Sequence, residues 1–525
     1  MTLPADSEFA DLDRHFARFI AAYGDGELPA TAAALLSRNL RQGHICLDLR
    51  TALQLDGFRW PSLPAWRKAL GANRAIGGPG DDRPIVLDST GRLYLRRYWE
   101  YETALAAQIL SRCGGEPIAT KSTGQQRAIE TALARRFTVI SGGPGTGKTT
   151  TVLKIIECLK AAPGGEKLRI ALAAPTGKAA ARLQETAKME ASTLHRLLGA
   201  RGESIQFRHN AGNPLPLDVL VLDEASMVPL TMMAKLFDAL PAAARVILLG
   251  DRDQLASVEP GAVLGDIAEA ASHSGSPLHD SMVVLRENFR FGNKSAIYRL
   301  CNAVREGHAD AAFKILASGA IPTQPVPAPG RLIETMRDRI LAGYSACLRA
   351  GDPAEALRLF REFRILCALR GGPFGVENLN RRIAALLREE GLDRALPVLI
   401  TRNDYPLRLF NGDIGMIVDG AAWFAGEDGA LRHIPPARLP EHEPAFAMTV
   451  HKSQGSEFEN VLLLLPDKES PVLTRELVYT GLTRARREVE LWYEPMALGS
   501  AITARTTRNT GLADALTSGQ SGSKS

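Results

Sequence analysis

The chain has 525 residues, 45% of them hydrophobic and 23% charged, an ordinary globular composition spread over more length than one core can use, so about three or four domains are expected. Its formal net charge of +5 excludes a basic nucleic-acid-binding tail and confines any such surface to a local groove. Six scattered cysteines without a Cys-x-x-Cys pair, no signal-peptide pattern and apolar runs of strand length exclude a disulfide scaffold, a zinc site and a membrane span, and point to the cytoplasm.

Residues 1–115 carry helical periodicity at 9–22, 29–42 and 98–112 around a Pro/Gly-rich loop at 71–84, and read as a mainly helical domain without a catalytic signature. From 116 to 275 the texture changes to β-prone runs at 137–140, 168–174, 219–222 and 246–249. Each ends in a polar turn, which predicts a parallel α/β sheet with its sites at the strand ends. A β-hairpin is expected within it at about 200–216, where an apolar run precedes Asn210-Ala211-Gly212-Asn213. A second α/β unit follows at 276–515, with strands at 365–369, 398–401, 445–450 and 461–465 and a small β insertion at about 411–444. Residues 516–525 read as a disordered tail.

The run Gly142-Gly143-Pro144-Gly145-Thr146-Gly147-Lys148-Thr149 lies between an apolar stretch (Phe137, Val139, Ile140) and residues at helical spacing (Val152, Ile155, Ile156, Leu159). That is the strand, loop, helix order of a phosphate-binding loop. Its glycines let backbone N–H groups converge on phosphate oxygens, and the helix opening with Lys148, Thr149 and Thr150 adds its positive dipole end. Lys148 would reach the β- and γ-phosphates of ATP, and Thr149 would hold Mg²⁺. The loop alone leaves open whether the triphosphate drives movement, signalling or phosphoryl transfer. Asp223 and Glu224 end the apolar run at 219–222; Asp223 can hold the Mg²⁺, and Glu224 can orient and deprotonate the attacking water. Gln254 can touch both the γ-phosphate and Glu224, while Arg290 and Arg484 can bring positive charge from the second half. If both arginines face the nucleotide, ATP sits between two units and its hydrolysis controls their closure.

Read in order, the blocks at 125–128, 142–149, 174–180, 193–199 (Thr-Leu-His-Arg-Leu-Leu-Gly), 223–226, 250–255, 288–290, 449–458 and 479–486 resemble the motif series of superfamily-one helicases. More narrowly, over residues 95–515, they are similar to the RecD family, the α subunits of RecBCD (exonuclease V) complexes. The resemblance implies two RecA-like motor domains with parallel sheets, a small helical N-terminal domain that docks a partner, a β-hairpin in the first motor and an SH3-like barrel in the second. It implies that Gln125 binds adenine, that Glu457 lies near the ribose, and that Arg290 and Arg484 meet the γ-phosphate. It places Thr176, Lys178, Thr193, His195, Thr449, His451, Ser453 and Gln454 on single-stranded DNA, where neutral hydrogen bonds to phosphates allow release and stepping. Also implied are ATP-driven 5′ to 3′ movement at duplex DNA ends, RecB-like and RecC-like partners in a heterotrimer, and a role in double-strand break repair and recombination. The nuclease would belong to the RecB-like partner. Two alternatives stand beside this: a RecD-like helicase that works alone, and a nucleotide-dependent DNA-binding switch that does not translocate.

Overall fold

A computed structural model of the chain describes residues 9–518 except 25, 56–59, 115–121, 201–205, 293–294, 405 and 427–429. The expected N-terminal helices form at Asp11–Ala21, Glu27–Arg41 and Arg96–Leu110. The first two pack together around buried Asp13, whose carboxylate accepts Ser37 Oγ at 2.6 Å and Arg41 Nε at 3.1 Å. The region is mainly helical, as expected, with further helices at Leu49–Ala52 and Leu63–Gly71, but it also carries a small sheet. Strands β1 (Cys46–Asp48), β2 (Ile76–Gly77), β3 (Ile85–Leu87) and β4 (Arg92–Leu95) build a sheet in the order β1-β4-β3-β2. At two to four residues each, they are too short to show a period-two pattern in sequence.

Six parallel strands follow: β5 (Phe137–Gly142), β6 (Ile170–Ala174), β7 (Ala191–Thr193), β8 (Val219–Leu222), β9 (Arg245–Gly250) and β10 (Met282–Leu285), in the order β10-β5-β9-β8-β6-β7. Helices cover both faces, which is why β5, β8 and β9 read as near-continuous apolar runs. The sheet reaches past residue 275, because β10 pairs Met282 with Val139 and Leu285 with Gly142. Of the expected hairpin, the described residues hold only isolated bridges, Ala200 with Phe207 and Asn210 with Asn213; 201–205 lie outside the described residues.

The second parallel sheet contains β11 (Thr323–Pro325), β12 (Phe363–Cys367), β18 (Ala447–Thr449), β19 (Phe458–Leu464) and β20 (Ala485–Tyr493), ordered β11-β20-β19-β12-β18. Between β12 and β18 the chain forms an antiparallel sheet of β13 (Ala395–Ile400), β14 (Ile414–Val418), β15 (Ala421–Ala425), β16 (Leu431–Ile434) and β17 (His442–Pro444). The run at 398–401 therefore belongs to the insertion, not to the second parallel sheet. Its continuous apolarity has a simple cause: Ala395 and Leu399 face the large core, while Val398 and Ile400 face the insertion's own small core.

The C-terminal segment returns to the start of the molecule. Arg508 donates to the carbonyls of Glu259 at 2.9 Å and Ser257 at 2.6 Å, Ile45 N–H donates to Asn509 O at 2.9 Å, and Thr510 Oγ1 donates to buried Glu102 at 2.8 Å. The helix Leu512–Ser518 then buries Leu512 and Leu516 in the core that contains Phe237 and Ile267. Disorder from residue 516 is thus contradicted at 516–518, where a leucine with helical spacing to Leu512 supplies the packing.

Candidate nucleotide and DNA site

The strand β5 delivers the glycine loop, and both conformation and space demand glycine there. Gly145 and Gly147 each have φ of +81°, which a side chain disfavours. A Cβ on Gly145 would stand 2.6 Å from Arg290 Cβ, and one on Gly143 2.7 Å from the Tyr479 hydroxyl. The loop after β10 is fastened to it, Asn288 Nδ2 donating to Pro144 O at 2.8 Å and Phe289 N–H to Gly145 O at 2.9 Å. Thr146 Oγ1 donates to Gly143 O at 2.8 Å, and Lys148 Nζ donates to Gly142 O at 2.5 Å and Gly143 O at 3.1 Å. Thr149 and Thr150 lie in the first turn of the helix Lys148–Ala161. Gln125 lies so close to Gly147 that a Cβ there would overlap its amide; the same Cβ would be 3.7 Å from the Phe289 ring. Phe289 is 65% exposed, an aromatic face beside Gln125 that sequence reading passed over although it adjoins Arg290.

At the end of β8, Glu224 adopts the left-handed conformation with φ of 51°, a strain of about 1–3 kcal/mol of the kind held at functional positions. Its N–H donates to Asp223 Oδ1 at 2.8 Å. Desolvation and the neighbouring Glu224 push Asp223 up to about 6, with Lys148 and Arg182 pulling the other way. A carboxylate with uncompensated charge and a threonine hydroxyl are hard oxygen donors of the type that suits Mg²⁺.

The turn after β9 joins the two halves. Asp251 Oδ2 accepts Tyr479 Oη at 2.9 Å and Gln254 Nε2 at 3.1 Å, and Gln254 Oε1 accepts Arg484 Nη2 at 2.9 Å. Leu255 N–H donates to Thr480 Oγ1 at 3.0 Å, and Leu255 O accepts Gln454 Nε2 at 2.7 Å. Arg290 Nη2 donates to Glu457 Oε1 at 2.6 Å, while its Nη1 is buried without a hydrogen-bond partner among the described residues. Glu457, expected near the ribose, is an ion-pair hub in this structure: it also accepts Arg182 Nη1 at 2.7 Å and Arg486 Nε at 3.0 Å. Burial alone would raise its carboxyl, but Arg290 and Arg182 hold it down at about 2. Arg182, Tyr479 and Thr480 received no role from sequence reading.

The DNA blocks divide. Thr176 caps the helix Gly177–Ala187 by accepting Ala179 N–H at 3.3 Å, Thr193 caps Leu194–Leu198 by accepting Arg196 N–H at 3.2 Å, and Thr449 accepts Lys452 N–H at 3.2 Å. His195 is exposed and meets Phe207 edge-on at 5.8 Å. Desolvation lowers the pKa of His195 and of His451, so both rings are neutral near pH 7. Desolvation takes Lys178 down to about 8 against the pull of Asp413. Ser453 and Gln454 do not fit the DNA role in this conformation. They are 0% and 7% exposed, Ser453 Oγ donating to Val450 O at 2.7 Å and Gln454 tying Leu255 to the second half.

Three family models match this chain: the RecBCD enzyme subunit RecD N-terminal domain at residues 6–94, an AAA domain at 125–260 and the UvrD-like helicase C-terminal domain at 444–491. The RecBCD enzyme subunit RecD of Mycolicibacterium smegmatis is 40% identical over 92% of this chain and 92% of its own length. That of Haemophilus influenzae is 37% identical over 75% of this chain and 72% of its own. The ATP-dependent RecD2 DNA helicase of Deinococcus radiodurans is 34% identical over 77% of this chain but only 56% of its own length. With the phosphate loop, the strained acidic pair and the Gln254–Arg484 bridge all in place, and with relatives this similar over nearly the whole chain, the protein belongs to the RecD family.

Proposed function

We propose that the chain is an ATP-dependent DNA helicase subunit of a RecBCD-type complex, acting in double-strand break repair and recombination. One observation carries the reading: Arg484 of the second half reaches Gln254 of the first at 2.9 Å, so nucleotide chemistry and the relative position of the two halves share atoms. Lys148, Arg290 and Arg484 stabilise charge on the γ-phosphate, and Glu224 takes the proton of the attacking water. Thr149 and Asp223 would hold Mg²⁺, which would neutralise charge at the phosphates. Single-stranded DNA lies across Thr176, Thr193 and His195 on one half and Thr449 and His451 on the other, and each closure moves it 5′ to 3′. RecB-like and RecC-like subunits are the partners, docked on residues 1–115, in the cytoplasm. Supporting the complex over a helicase that works alone, this chain is 40% identical to a RecBCD subunit against 34% to RecD2, and residues 6–94 match the RecBCD enzyme subunit RecD N-terminal domain.

Replacing Lys148 by Gln tests the site: DNA-stimulated ATPase should vanish, and a normal rate would sink the assignment. Pull-down with RecB-like and RecC-like subunits tests the assembly; efficient unwinding of tailed duplex by the chain alone, without capture of either, would favour the solitary helicase.

A further inference from the structure

The helix Gly177–Ala187 begins at the candidate DNA surface and reaches the nucleotide site within two turns. Thr176, Ala179 and Arg182, spaced three apart, share one face of it. That face meets residues 455–457 of the second half. A Cβ on Gly455, whose φ is +73°, would stand 3.4 Å from Thr176 Oγ1 and 3.7 Å from Ala179 Cβ. Arg182 Nη1 donates to Glu457 Oε1 at 2.7 Å. The same oxygen accepts Arg290 Nη2 at 2.6 Å. One carboxylate oxygen thus serves both Arg182 and the guanidinium assigned to the γ-phosphate.

Sharing makes the two bonds interdependent. Two cations on one acceptor repel each other, so how firmly Arg182 holds Glu457 sets how readily Arg290 leaves it for a phosphate. Arg290 Nη1 is buried without a hydrogen-bond partner among the described residues, so Glu457 leaves one of its donors unsatisfied and a rearrangement that brings an anion to it would be favoured. Arg182 is also within electrostatic reach of Asp223 and Glu224, which places it among the reacting groups' neighbours rather than on a remote surface.

We propose that Arg182 is a positioning residue that links DNA occupancy to ATP hydrolysis. A strand bound at the start of its helix shifts that helix against 455–457, and Arg182 passes the shift through Glu457 to Arg290. The idea rests on reading the chain as a DNA-stimulated ATPase, and it adds a named residue between the two ligands.

The test uses the full chain carrying Arg182→Gln or the conservative Arg182→Lys. ATP hydrolysis is followed with and without oligothymidylate, separating kcat from KM, and oligothymidylate affinity is followed by anisotropy with and without ADP–beryllium fluoride. In Arg182→Gln, DNA stimulation of kcat should fall by about 5- to 150-fold, the range for coupled sites. DNA affinity without nucleotide should stay within about twofold, and the analogue should no longer change it. Arg182→Lys, which keeps one charged donor, should retain part of the stimulation. Adding Glu457→Gln to Arg182→Gln should cost no further stimulation, because both act along one path. Full stimulation in Arg182→Gln overturns the link, as does a loss explained by weaker nucleotide-free DNA binding. A wild-type rate that DNA does not raise would instead overturn the motor reading, and the link with it.

Discussion

The two carboxylates that end β8 are held at a cost, and the cost differs between them. Glu224 carries backbone strain at φ of 51°; Asp223 carries charge that desolvation and Glu224 disfavour, so its folded pKa is about 6 against an ordinary 3.8. A raised carboxyl pKa means that the ionised form destabilises the unliganded fold. The penalty is complete above pH of about 6 and fades as pH falls toward the ordinary value. Asp223→Asn should therefore raise the melting midpoint at pH of about 8, with the gain shrinking between pH of about 6 and about 4, while abolishing ATPase. Thermal melts across that window check the sign; an Asn variant less stable than wild type at high pH would refute it. Phe289 offers a second test. If its exposed ring stacks on adenine, Phe289→Ala should raise KM for ATP by about 5- to 150-fold, from about 1–3 kcal/mol per stacked base. Binding of inorganic tripolyphosphate, which has no base, should not change. The loop, Asp223 and Glu224 were legible because their spacing is local. Arg182 and Phe289 were not, because what distinguishes them is a neighbour contributed by another part of the chain.

Glycine at the phosphate loop answers to two elements at once, the strand that delivers it and the Asn288–Arg290 loop that lies on it. Gly145→Ala meets an unfavourable φ of +81° and the Arg290 Cβ at 2.6 Å. It should cost at least about 1–2 kcal/mol of stability from the backbone alone and weaken ATP binding; denaturant melts and nucleotide titration measure both, and a neutral effect would show that the loop relaxes freely. The element scale also explains which strands sequence could place. β5, β8 and β9 are buried on both sides by their own domain's helices, so apolar runs located them. β13 is equally apolar for a different reason, being clamped between two cores, and pattern alone assigns it to the wrong sheet. β20 went unseen because Arg486, Arg487 and Glu488 break its apolar run where it emerges at the rim.

Across the whole molecule, the segment that follows the second sheet matters more than its polar composition suggests. Cutting the chain after residue 503 would remove two buried leucines and the Thr510 and Gly511 donors of buried Glu102. Leucine burial alone is worth about 1.5–3 kcal/mol each, so the truncated chain should unfold at lower urea concentration by at least about 3 kcal/mol; an unchanged midpoint would mean that the segment only decorates the surface. Its partners at Ile45, Glu102 and Ser257 are hundreds of residues away, which is why no local pattern announced it. The same return path constrains the motor. The polypeptide passes from the first half to the second after β10 and returns at 504–511, where Arg508 and Asn509 bond residues of the first half and the N-terminal region. A body tied at one point can swing and twist, whereas one tied at two turns only about the line through both, as a door does. If the halves close on ATP as proposed, that closure is expected to be a rotation about this line, with the distance from it to Thr449 as the lever arm.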